Sequence, residues 1–182
     1  MLSIWTFLDP YYFALTRLKY IKNEHREKQI FRVRLTRYKG KDMILSDGTL
    51  IKKNDLLVKI HLHNIRIINE MDRYQTEIRK ALFIYKNVEK ALPCLASYVN
   101  AHASSPEIKG ILGITVLNKG AERLGFEVIP INNPFYERFK LLTAIPIYML
   151  SNSFKKQTLS RKKPAYLCMS KNQLLSGHLK TA

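Results

Sequence analysis

His61 and His63 are the residues whose types and spacing most directly invite chemistry. In an extended strand both rings fall on one face, about 7 Å apart along the backbone. Two imidazoles so placed could share a metal or act as an acid and base pair. A zinc site needs a third and usually a fourth ligand. His25, His102 and His178 have no helpful spacing, so a carboxylate such as Asp47 or Asp55 would have to complete the set. On this basis no metal and no cofactor is assigned. The structural alternative has both rings covering the first turn of a following helix, hydrogen-bonded to backbone. Lys59 shares their face and Asn64 follows them. Asp55, Lys59, His61, His63 and Asn64 therefore make one candidate binding region, with His61 and His63 the candidate catalytic pair.

A second group is Arg32, Arg34, Arg37, Lys39 and Lys41, the densest basic strip on any expected strand. Arg32 and Arg34 lie on the outer face, and Phe31, Val33 and Leu35 on the apolar one. An aromatic platform for single-stranded nucleic acid needs its rings beside the cations, so nucleic acid is the less favoured partner. A surface facing phosphates or sugar acids fits better, and a merely solvated face fits equally well. Nucleophilic catalysis has no motif behind it. Ser46 is not in a nucleophile elbow, Cys94 and Cys168 have no local partner, and the glycines match no phosphate-binding loop.

The elements that must position these groups are legible in the spacing. Residues 55–63 alternate, with Leu56, Val58, Ile60 and Leu62 on one face and Asp55, Leu57, Lys59, His61 and His63 on the other. Asp47-Gly48 between two apolar runs predicts a tight hairpin turn, with Gly48 at positive φ. Ile30–Arg37 alternates too, so residues 30–63 are expected to form an antiparallel meander. Asn64 is expected to cap a long helix that Pro93 ends or kinks, with a second helix over Pro93–Asn100. Strands are expected at Ile108–Leu117, where Gly110 and Gly113 permit close packing, and at Phe126–Ile131 and Pro164–Met169. Asn133-Pro134 starts a helix, and Ser170 with Gln173 predicts a capping box. Residues 1–21 read as an amphipathic helix, either an interfacial membrane anchor or packed on the core. Residues 176–182 read as a frayed basic tail.

Bulk properties bound the rest. A chain of 182 residues with 46% hydrophobic content suits a single domain with its own core. The formal net charge of +17 favours anionic partners: phospholipid head groups, nucleic acid or anionic polysaccharide. The two cysteines read as small, buried and reduced. With no signal peptide and no run of about 18 apolar residues, the expected location is the cytoplasm, or peripheral to the inner face of a membrane.

Three stretches together resemble a known family. Ser46–Asn64, Gly113–Val128 and Lys163–Leu174 are similar to the YkoP-like domain of Bacillus-type bacteria. Asn54 stands where that pattern usually has Gly before Asp55. The resemblance implies a domain that stands alone or follows a polysaccharide deacetylase domain, and so points toward envelope polysaccharide. This chain carries no deacetylase motif. The expectation is one α+β domain spanning 1–182, a small, mainly antiparallel sheet with helices on one face. It would be a non-catalytic binding or accessory domain for an anionic glycan or lipid surface. A small transferase-type enzyme using His61 or His63 is the alternative, and nucleic-acid binding the third.

Overall fold

Two alternating strands fix the centre of the sheet. β2 (Lys28–Arg37) and β5 (Leu56–Leu62) pair antiparallel in the computed structural model, with Val33 opposite Ile60 and Leu35 opposite Val58. The structure describes residues 18–22, 28–62, 66–67, 70, 73–115, 118, 120–131, 133–138 and 163–179. Because side chains alternate, the aliphatic set of both strands falls on one face and the basic set on the other.

Between them the chain makes the hairpin β3 (Met43–Ile44) and β4 (Leu50–Ile51), which is its own two-stranded sheet. The expected meander is thus corrected: β2 meets β5 directly and the hairpin is an excursion from it. The turn has the expected chemistry. Gly48 sits at φ 81, and its N–H donates to the Leu45 carbonyl at 2.9 Å.

β1 (Lys19–Lys22) flanks β2, with Tyr20 opposite Arg32. Residues 19–21 therefore do not continue the amphipathic helix expected over 1–21. The edge of β2 offers backbone partners, and alternation buries Ile21 while turning Tyr20 to the other face. Residues 1–17 lie outside the described residues, as does the Asn64 cap.

The expected long helix also differs. Residues 66–67 and 70 are helical, but residues 73–76 are not, and Thr76 starts a new helix, accepting from the Arg79 N–H at 3.3 Å. That helix, α1 (Glu77–Ala101), runs straight through Pro93. An interior proline costs about 3 kcal/mol. Ala91, Leu92, Leu95, Ala96 and Val99 are all fully buried around it, and each buried leucine or valine contributes roughly 1.5–3 kcal/mol. Packing outweighs the break.

α1 returns the chain to β6 (Ile108–Thr115), which lies parallel to β5, as a helical crossover allows. β7 (Glu127–Pro130), β8 (Ala165–Ser170) and α2 (Lys171–His178) follow, with short helical turns at Ser105–Glu107, Glu122–Leu124 and residues 134–138. The sheet order is β1-β2-β5-β6-β8-β7, and every pairing but β5–β6 is antiparallel. The α+β expectation holds. A Cβ at Gly110 would meet the Met169 carbonyl oxygen at 2.5 Å, so close packing explains that glycine. α2 extends to His178, three residues into the stretch read as a frayed tail.

The inner face carries Phe31, Val33, Val58, Ile60, Ile111 and Met169 against α1 and Leu174 of α2. The outer face is divided. Its lower half, Leu57, Leu112 and Cys168, is covered by Leu45 and Ile51 of the hairpin region and by Tyr38. Its upper half holds the candidate site.

Candidate functional site

The register of β2 on β5 puts Arg32 directly opposite His61, and Arg34 directly opposite Lys59, all on the outer face. Four basic side chains thus form a two-by-two block. Of the two facing pairs, Arg34 and Lys59 are both cations, a pairing that by itself disfavours the strand contact. Arg32 is only 3% exposed, and Arg34, Lys59 and His61 are half-buried. The block is therefore packed into the sheet face, not a set of side chains waving in solvent.

Tyrosines border it. Arg32 donates to the Tyr20 hydroxyl at 2.5 Å, and its guanidinium carbon lies 4.9 Å from the Tyr20 ring centre. That contact holds the Arg32 guanidinium against the Tyr20 ring. Beyond β6, Tyr166 on β8 stacks with Tyr136 at 6.5 Å between ring centres. Asn133 fixes the start of that helical stretch by accepting from the Tyr136 N–H at 3.1 Å. Burial raises the Tyr136 hydroxyl pKa, and nearby Arg34 opposes the rise. Arg34 therefore acts across the gap between strand and helix. Burial first, then the neighbouring Tyr136, pushes Tyr166 up to about 12.

Below the block, the chemistry stops. Burial, aided by Glu127, pushes the Cys168 thiol up to about 12, so it carries no thiolate at neutral pH and serves as packing. Both cysteines are free thiols. The hairpin over this half is tied down by two polar contacts. Glu127 accepts from the Ser46 N–H and hydroxyl, each at 2.8 Å. Ser170 donates its hydroxyl to Asp47.

Of the residues singled out from sequence, Arg32, Arg34, Lys59 and His61 are brought together. Asp55 is not. It sits at the opposite end of β5, about 20 Å along the strand from His61. There its carboxylate accepts from the Lys52 N–H at 2.8 Å and closes a turn. His63 and Asn64 lie outside the described residues. Among the described residues no group of three or more His, Cys, Asp or Glu could hold a metal. Nor is any helix there long and apolar enough to cross a membrane.

Tyr20, Tyr136 and Tyr166 were missed from the sequence. Tyr20 follows helical spacing, and Tyr136 and Tyr166 meet only where the helical stretch 134–138 packs against the last strand. The alternation Tyr166, Cys168, Ser170 along the last strand was the available signal.

What this block can do chemically follows from its donors. Arginine presents a planar fork that matches a carboxylate or phosphate two-pronged, and lysine adds a compact charge. Arg34 and Lys59, directly opposite each other, offer both kinds of donor on one face.

The chain matches the family model described as YkoP domain over residues 1–178. It is 49% identical over 181 residues to the protein named "Uncharacterized protein YkoP" of Bacillus subtilis (strain 168), covering 98% of this chain and 96% of that protein. No solved structure matches it significantly.

Proposed function

The chain belongs to the YkoP domain family, and from that premise we propose that it is a non-catalytic binding domain for an anionic component of the cell envelope. The ligand would present a phosphate or carboxylate, on a glycan or a lipid head group, to Arg32, Arg34, Lys59 and His61. One observation carries this reading: Arg34 faces Lys59 and Arg32 faces His61 on one partly buried sheet face. The tyrosines at the border supply flat, amphipathic walls suited to a sugar or glycerol backbone attached to the anion.

The test is NMR titration of the full chain with poly(glycerol phosphate) and, separately, polygalacturonate. Shifts concentrated on Arg32, Arg34, Lys59 and His61 support the site. Shifts spread evenly over exposed lysines such as Lys52 and Lys53 contradict it. The alternative, a small enzyme using His61 as acid or base, separates cleanly, because it requires the added polymer or its precursor to be turned over.

A further inference from the structure

The stripe of α1 that packs on the sheet does not stop where the sheet does. Ile78, Ala81, Tyr85, Val88, Leu92, Leu95 and Val99 recur at alternating three- and four-residue spacing and so line one side of the helix. Burial falls steadily along that line. Leu92, Leu95 and Val99 are fully buried, Val88 and Tyr85 half-buried, Ala81 exposed, and Ile78 80% exposed. Leu82, one turn after Ile78, is 49% exposed beside it. The first turns of α1 therefore overhang the sheet with aliphatic side chains outward.

The charges around the overhang identify what it meets. Arg73, Arg79, Lys86 and Lys90 are exposed on this stretch, against an exposed Glu89. A second copy of the chain would bring another +17 toward the same face, which like-charge repulsion disfavours. An aliphatic ridge flanked by cations matches instead the boundary of an anionic bilayer, where the ridge enters the acyl region and the cations stay among head groups.

We propose that the start of α1, through Ile78 and Leu82, docks this protein on the surface of an anionic lipid bilayer. The surface is separate from the Arg34–Lys59 block and does not depend on that block having a ligand. It also differs from the anchor expected at residues 1–21, since it lies on a helix whose other end is built into the core.

Co-sedimentation with vesicles of equal parts phosphatidylglycerol and phosphatidylcholine tests it. The full chain should pellet with these vesicles and keep part of its binding at high salt, where a purely electrostatic contact is screened away. The exposed positions tolerate polar side chains, so Ile78→Ser with Leu82→Ser should fold as the parent does and lose about tenfold or more in partitioning. Lys52→Ala with Lys53→Ala, which removes two exposed charges outside α1, should partition as the parent does. An Ile78→Trp variant should gain a blue-shifted emission component on these vesicles and not on phosphatidylcholine alone. The proposal is overturned if the double serine variant partitions like the parent. It is equally overturned if the parent does not bind the vesicles, which would leave a soluble acidic protein as the occupant.

Discussion

Ser170 and Asp47 are 123 residues apart in sequence and joined by a hydrogen bond from the serine hydroxyl to the carboxylate. The same hydroxyl accepts from the Gln173 N–H at 2.9 Å, so it caps α2 while it latches the tip of the β3–β4 hairpin. Among the described residues, the glutamine half of the expected capping box is not formed, and Gln173 Oε1 has no hydrogen-bond partner. One fully buried hydroxyl thus secures both the last helix and the cover over Leu57, Leu112 and Cys168.

Ser170→Ala should therefore cost about 1 kcal/mol or more, the loss of a cap. It should also alter the acid limb of stability. The hydrogen bond from Ser170 is the main cause holding the Asp47 carboxyl below its usual range. A depressed carboxylate contributes stability that is present above its unfolded value of about 3.9 and is lost as pH falls through its folded value. Denaturant midpoints measured from neutral pH down to pH 3 should fall less steeply in Asp47→Asn than in the parent. Parallel curves would contradict the latch.

Asn54 takes φ 73, the left-handed region, while its N–H donates to the Tyr38 carbonyl at 2.7 Å. Asparagine tolerates this conformation and glycine adopts it freely. Asn54→Gly should leave the unfolding midpoint near the parent's, whereas Asn54→Ala should cost about 1 kcal/mol. Equal effects of the two substitutions would count against a backbone cause.

Gly48 also lies at positive φ, and a Cβ there would meet nothing within 4 Å. Gly48→Val should still lose about 1 kcal/mol or more, because the strain lies in the backbone. An unchanged midpoint in thermal unfolding would refute that assignment.

Alkaline titration probes the border of the site. With its folded value pushed up to about 12, Tyr166 stays neutral beyond the usual tyrosine range. The sign follows: a raised folded value contributes stability below the unfolded value of about 10, lost as pH rises through the folded one. Ultraviolet titration of the parent should show a late-ionising tyrosine that Tyr166→Phe removes. A variant with the parent's titration curve would contradict this.

The parts of the fold that were legible in the sequence are those set by local pattern. Alternation gave β2 and β5 with the correct faces, Asp47-Gly48 gave the hairpin, and Ser170 gave the last cap. What was not legible depends on partners distant in sequence. Tyr20 and Ile21 follow helical spacing until the edge of β2 is there to pair with them. Pro93 breaks an isolated helix, and only burial of its neighbours against the sheet carries the helix through. Likewise, Arg32, Arg34, Lys59 and His61 were singled out by type in two separate groups. Only the register Arg32 opposite His61 made them one block, and the same strand geometry removed Asp55 from it.

The most direct test of that block is isothermal titration of the full chain with poly(glycerol phosphate), comparing the parent with Arg34→Ala and Lys59→Ala together. A control removes the exposed Lys52 and Lys53, which preserves the charge count of the comparison but lies away from the block. Charge-assisted hydrogen bonds lost from the site should weaken binding by about tenfold per residue, while the control binds as the parent does. Equal weakening in both variants would mean that overall positive charge, and not the facing Arg34 and Lys59, holds the anion.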